Sequence, residues 1–357
     1  MSHRPPSEAT PQRILIIKLR HHGDMLLMTP VISTLHDNYP DAHIDVLQYK
    51  ETEPMLINHP LVNQCYCIDR AWKKLGPWRH IGHEWHLLRT LRAQRYDLVI
   101  NLADQWRSAL LTRFTGAPVR LGFDFPKRQS VAWKFCHSQL VPVTDHNALH
   151  TVEQNLSILA PLALPKISTR AAMHYLPSDA QCIRQRLDEG CVRGHYIVIH
   201  PSSRWFFKCW PEEKMAELIT ALTTAGYSIV LTSGPDKAEK AMVSRIRSLS
   251  QGETIISLAG EMTLPQLAAL IDKADLFIGV DSVPMHMAAA LNTPYVALFG
   301  PSKLTFWHPW EGQGEVIWAG DFGPLPDPDS IDTNTSERYL QRIPVEAVLS
   351  SVQRLLK

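Results

Sequence analysis

Four short segments bring together side chains of contrasting chemistry. The first, Lys18-Leu19-Arg20-His21-His22-Gly23-Asp24, sets two cations, two imidazoles and a carboxylate side by side. A carboxylate beside cations can take a proton from a hydroxyl, work that typically contributes ~10²–10⁴-fold to a rate. Asp24 can equally cap a following helix, although Thr29-Pro30 is a second helix start, with Pro suited to the first helical position. Adjacent His21 and His22 point different ways, so a metal ion would need ligands from elsewhere. The second segment is His200-Pro201-Ser202-Ser203-Arg204, followed by Lys208, Trp210 and Pro211. Paired hydroxyls, a lysine and backbone N–H groups ahead of a helix suit a pyrophosphate; the same letters also spell a Ser-rich turn. The third runs Gly279-Val280-Asp281-Ser282-Val283-Pro284-Met285-His286 into an alanine run. Here a helix start could hold an anion, while His286 could be a satisfied core histidine. The fourth, Ser233-Gly234-Pro235-Asp236, could meet a ribose or form an ordinary turn.

These segments need strands and helices to position them. Arg13–Leu19 (RILIIKL), Ile44–Leu47, Asp97–Asn101 (DLVIN) and Leu140–Pro142 are short apolar runs of the kind expected for buried parallel strands. Helical patterns follow the first run to His36, then occupy Ile81–Gln94 and Thr151–Ala160. After the proline-containing stretch 162–178 the alternation restarts. Tyr196–His200, Ser228–Thr232, Ile255–Leu258, Leu276–Val280 and Tyr295–Phe299 are strand-like, with helical patterns at Pro211–Ala225, Lys237–Leu249, Thr263–Ala274 and Val283–Leu291. Two βα series predict an α/β chain of two doubly wound parallel sheets, with ligands at the carboxyl ends of the strands and a cleft between the domains as the default site. Each candidate segment directly follows a predicted strand. The expected division is a flexible leader at 1–12, a first domain at 13–170, a second at 171–335 and a final amphipathic segment at 336–357.

With 357 residues, 45% of them hydrophobic and 20% charged, the chain exceeds what one core usually holds and is not disordered, collagenous or coiled-coil. No apolar run approaches the ~18 residues of a membrane span. Met1–Gln12 lacks the apolar core of an export signal. Six scattered cysteines, none in a CxxC pair, read as reduced thiols. The net charge of +1 hides an asymmetry. Residues 1–170 hold 20 Lys+Arg against 14 Asp+Glu, about +6, and the remainder 16 against 21, about −5. A basic domain facing an anionic partner is one reading, scattered surface charge the other. No nucleic-acid-binding motif appears. There is no GxGxxG after a first strand, no P-loop, no GxSxG and no HExxH, which removes support for classical dinucleotide binding, P-loop, α/β-hydrolase and zincin chemistry.

Taken in order, ILIIKLRHHGDMLLMTPVISTL, HPSSR…KCWP, SGPD and GVDSVPMHMAAAL resemble the bacterial lipopolysaccharide heptosyltransferases, glycosyltransferase family 9, over essentially the whole chain from Arg13. The wording LRHHGDMLLMTP and DSVPMHMAAA is most similar to the branch that adds the third, branching heptose. The resemblance implies a GT-B fold, two Rossmann-like domains facing across a cleft, with the final helix crossing back to the first. It implies an inverting, metal-independent transfer without a cofactor, from ADP-L-glycero-β-D-manno-heptose to a heptose of the phosphorylated lipopolysaccharide inner core. The enzyme would be cytoplasmic and peripheral at the inner membrane. Asp24 and Lys208 would be catalytic, and Ser202, Ser203, Gly234, Asp236, Asp281, Ser282, Val283 and His286 would bind donor. Lys18, Arg20, His21 and His22 would meet the acceptor. Another GT-B enzyme, such as a sugar-nucleotide epimerase or a transferase of the first or second heptose, is an alternative. A non-catalytic binder of sugar nucleotide or lipopolysaccharide is another.

Overall fold

The computed structural model describes residues 10–192 and 194–357 and divides into two compact units, Met1–Ala172 and Met173–Lys357. The expected leader falls, for residues 1–9, outside the described residues.

Unit 1 contains the strands β1 (Arg13–Ile17), β2 (His43–Tyr49), β3 (Gln64–Ile68), β4 (Leu98–Asn101), β5 (Val119–Asp124) and β6 (Gln139–Pro142). Its helices are α1 (His22–Leu26), α2 (Thr29–Asn38), α3 (Pro77–Ala93), α4 (Trp106–Phe114), α5 (Val131–Cys136) and α6 (Thr151–Ser157). All strand pairings are parallel, in the order β3-β2-β1-β4-β5-β6. Central β1 is apolar at every position after Arg13 because both faces of a parallel sheet are covered. Leu15 and Ile17 pack with Leu87 and Leu91 of α3.

Unit 2 repeats the plan with β7 (Tyr196–His200), β8 (Ser228–Leu231), β9 (Ile255–Ser257), β10 (Leu276–Val280), β11 (Tyr295–Phe299) and β12 (Gly314–Trp318). Its helices are α7 (Pro177–Glu189), α8 (Glu212–Thr224), α9 (Lys237–Leu249), α10 (Leu264–Asp272), α11 (Val283–Leu291), α12 (Leu304–Trp307) and α13 (Val345–Leu355). The parallel order is β12-β11-β10-β7-β8-β9, so β7 and β10 are central as β1 and β4 are in unit 1. Three strands lie outside the predicted set: β3, β5 and β12.

The boundary follows from hydrogen bonds along the proline-containing stretch. The Thr34 hydroxyl donates to the Ser168 carbonyl at 3.0 Å and accepts its N–H, and Thr29 Oγ1 accepts the Ala172 N–H at 2.9 Å. These bonds bind the stretch to α2 as far as Ala172. The final helix, expected to return to the first domain, contributes Val345, Val348 and Val352 to the core of unit 2, where it packs on α8, β11 and β12.

Trp210 is completely buried in that core, and its indole N–H donates to the Ile343 carbonyl at 3.2 Å, fixing the approach to α13. Trp210→Ala should lower the stability of unit 2 by roughly 3–5 kcal/mol, read as a shift of its denaturant unfolding midpoint.

Candidate functional site

In unit 1 the chemistry gathers where β1 and β4 end. The chain turns from β1 into α1 through Lys18–His21, and Asp24 occupies the first turn of that helix. Asp24 Oδ2 accepts the His21 N–H at 3.4 Å, a long capping bond, and the side chain is half-buried. The helix-start role is therefore present, and the carboxylate lies just past the carboxyl end of β1. Lys18 is buried, and its Nζ donates to Asn155 Oδ1 at 2.9 Å, while Asn155 Nδ2 donates to the Leu27 carbonyl at 3.1 Å. This chain of bonds pins α6 to the turn after α1. Burial pulls the Lys18 ammonium below its usual range, and the Asp24 charge opposes that pull. His22 Nε2 donates to the Glu51 carbonyl at 2.7 Å, and burial lowers its basicity; His21 is exposed.

Asp104, just past β4, is a carboxylate outside the predicted set. Arg20 reaches it at 3.3 Å, Lys127 forms an ion pair with it, and Arg128 Nε donates to its carbonyl at 2.7 Å. Burial would raise its pKa, but the bond from Lys127 and the charge of Arg20 win and hold it low. One buried carboxylate thus anchors two outward-facing cations, Arg20 and Lys127. Arg20 is among the expected residues, whereas linking Asp104 and Lys127 to it requires knowing that β4 lies between β1 and β5.

In unit 2 the corresponding point is where β7 and β10 end. Lys208 Nζ lies 2.6 Å from Asp281 Oδ2, with side-chain exposures of 14% and 7%, and the Ser302 hydroxyl donates to the same oxygen at 2.6 Å. A turn at Phe206–Lys208 directs the lysine back toward β10. The Trp205 ring lies 5.0 Å from Nζ, Trp205 stacks on Phe207, and Phe207, Cys209 and Trp210 are buried anchors. The aromatic insert therefore fixes the ammonium in place. Ser202 donates to Glu239 Oε2 at 2.7 Å, and the Gly234 N–H donates to that oxygen at 3.2 Å. Glu239, in the first turn of α9, is the carboxylate that reaches this loop. Asp236, expected to meet donor, caps α9 by accepting the Ala238 N–H at 2.8 Å. Buried Ser203 donates its N–H to Cys209 Sγ at 3.3 Å, and burial pushes that thiol up to about 12.

Ser282 is the N-cap residue of α11, and its hydroxyl donates back to the Val280 carbonyl at 3.2 Å, so no side chain caps the first turn. Val283 begins the helix. Buried His286 sets its ring edge-on to Trp307, with centroids 6.4 Å apart. The structure thus brings Ser202, Ser203, Lys208, Gly234, Asp281 and Ser282 to the loops that follow β7, β8 and β10. Among the described residues, no group of three or more His, Cys, Asp or Glu side chains could hold a metal ion. No helix among the described residues is long and apolar enough to cross a membrane.

Two parallel six-stranded sheets of this order on one chain match the GT-B fold class. A structure titled as a glycosyl transferase family 9 from Veillonella parvula matches with a TM-score of 0.81 at 22% identity, covering 97% of each chain. The Escherichia coli ADP-heptose lps heptosyltransferase II structure matches at 0.77 and 25% identity, covering 96% of this chain and 98% of its own. The sequence profile described as Glycosyltransferase family 9 (heptosyltransferase) matches residues 84–336. Lipopolysaccharide heptosyltransferase 3 of Escherichia coli is 45% identical over 338 residues, 95% of this chain and 97% of that protein. The chain belongs to glycosyltransferase family 9, the heptosyltransferase family.

His200, at the end of β7, is buried and bonded through Nδ1 to Thr232 Oγ1 at 2.8 Å; burial lowers its pKa from 6.5 to about 4. The unfolded chain binds this proton below pH 6.5, whereas the folded chain resists it until about 4. Stability is therefore full above that window and falls by up to about 3 kcal/mol as pH drops through it. Unfolding curves across this range should show a loss that His200→Asn lacks.

Proposed function

We propose that this chain transfers L-glycero-D-manno-heptose from ADP-L-glycero-β-D-manno-heptose to a heptose of the lipopolysaccharide inner core, adding the third, branching heptose with inversion and without a metal ion or cofactor. The observation that carries this reading is the 45% identity to lipopolysaccharide heptosyltransferase 3 across 95% of the chain, joined to ionic residues at the switch points of both sheets.

In this reading Asp24 takes the proton from the acceptor hydroxyl while its oxygen bonds to the anomeric carbon. The bond from that carbon to the diphosphate oxygen breaks, and ADP leaves with the electron pair. Lys208, held by Asp281, lies ready to share its charge with the diphosphate, and the uncapped first turn of α11 adds its dipole. Positioned charge of this kind is often the largest contribution to such a step. Ser202, Ser203 and Gly234 shape the loop beneath the donor, and His286 with Val283 borders it. On the acceptor side, Arg20 and Lys127 face outward from Asp104 and suit the phosphates of the core, with His21 and His22 alongside. Lys18, engaged with Asn155, holds this wall in place rather than meeting the acceptor directly. The basic balance of residues 1–170 agrees with an anionic acceptor and, with the lipid-borne acceptor, with work at the cytoplasmic face of the inner membrane.

Asp24→Asn separates base from cap, because the amide oxygen can still accept the His21 N–H. Mass-spectrometric assay with ADP-heptose and a core carrying two heptoses should show gain of one heptose. Asp24→Asn should slow that gain by roughly 10²–10⁴-fold with unfolding unchanged. Near-normal turnover of this variant would remove Asp24 as the base. Gain only on cores with fewer heptoses would move the step, and ADP binding without transfer to any core would leave a binding protein. Lys208→Ala should reduce kcat by about 10²–10³-fold, measured as ADP release.

A further inference from the structure

Beyond the residues that serve transfer, unit 1 exposes large apolar side chains on three neighbouring helices. α3, α4 and α5 are the crossovers β3→β4, β4→β5 and β5→β6, which all advance across the sheet in one direction. Right-handed crossovers therefore place them on the same face, and α4 packs against both α3 and α5. On α3, Leu87 and Leu91 face the sheet. The opposite side carries Trp78, 86% exposed, Ile81, and Trp85, 67% exposed, within one narrow helical arc. α4 presents Trp106, Leu110 and Phe114 at successive turns, and α5 presents Val131, 84% exposed, and Phe135. Scattered exposed apolar residues need no explanation, but a run of them across three adjacent helices marks a contact surface.

Charge selects the occupant. The outward arc of α3 continues from Trp85 into Arg89 and Arg92, and Arg79, Arg113 and Lys134 stand on the same helices. Glu84 is the single carboxylate on the three helices, and it is bound by His80 and Arg107. Tryptophan and arginine are also enriched at protein–protein interfaces, but a face whose unpaired charges are all positive, with its single acid already bound, matches the boundary of an anionic bilayer. There indoles sit at headgroup depth, and arginine stems lie along the apolar layer with their heads on phosphate. We propose that the α3–α5 face docks this chain onto an anionic lipid bilayer. Trp78, Ile81 and Trp85 enter the headgroup boundary, and Arg89 and Arg92 bind lipid phosphates. This docking goes beyond the transfer reaction and requires neither donor nor acceptor.

The test is cosedimentation of the full chain with vesicles of phosphatidylethanolamine and phosphatidylglycerol, against phosphatidylcholine vesicles, with light scattering of the free protein. The chain should bind the anionic vesicles, and less tightly as salt rises. Trp78→Ser with Trp85→Ser should weaken partition by about tenfold or more. Arg89→Glu with Arg92→Glu should abolish the preference for anionic vesicles. All four positions are solvent-facing, so circular dichroism should show both double variants folded. Absence of binding by the parent chain, or equal binding by folded variants, would overturn the proposal. So would a dimer that the tryptophan variant splits while vesicle binding stays unchanged, which would make a second copy the occupant.

Discussion

Where the crossovers of a parallel sheet leave in opposite directions from two adjacent strands, the loops at their carboxyl ends part, and polar side chains can gather there without displacing the core. This topological constraint operates twice in the chain, between β1 and β4 and between β7 and β10. Everything chemical depends on it. Lys18, Arg20 and Asp24 follow β1, and Asp104 follows β4; Ser202 and Lys208 follow β7, and Asp281 and Ser282 follow β10. The strands themselves are buried from Ile14 onward in β1 and throughout β7 and β10, and apart from His200 at the end of β7 they carry apolar residues there. Their register fixes the height of the loops, for example Ile17 opposite both Leu47 and Asn101.

The Lys208–Asp281 pair shows how the protein keeps ionic groups in a nearly dry place. Removing two charges from water costs several kcal/mol per ion, which only good geometry and further hydrogen bonds offset. Here the Ser302 hydroxyl and the Trp205 ring supply those contacts. Such a pair contributes little net stability. In the proposed reaction its value is a positive charge held in place before any diphosphate arrives, so little reorganisation is needed. Asp104 follows the same logic at a wetter location, with cations on its outer side.

Most of the architecture was legible because buried parallel strands are written as apolar runs. The exceptions have local reasons. β3 and β12 are edge strands, each paired on one side, and they read QCYCI and GEVIW because little of their length is buried. β5 is broken in pattern by Gly122, where a Cβ would collide with the buried His137 ring. α3 begins at Pro77 rather than Ile81 because its first turn faces outward and carries no core periodicity. For the site, residues directly after a strand could be found from the chain order alone. Glu239 and Ser302 could not, since each reaches its partner from a different element. Asp236 shows the complementary ambiguity: a carboxylate after a strand serves as well to start a helix, as it does here, as to meet a ligand.

The placement of α13 bears on the order in which the protein can be made. The apolar cluster that holds β1 and β4 to α3 and the one around Trp133 draw only on residues that precede Ala172, so they can form while the remainder is still emerging. Unit 2 has no such freedom. Its core includes residues of β7 and β10, yet Val345, Val348 and Val352 seal it, and the Trp210 indole waits for the Ile343 carbonyl. Until that last helix is available, the nascent second sheet carries an open apolar flank, the kind of surface that chaperones bind.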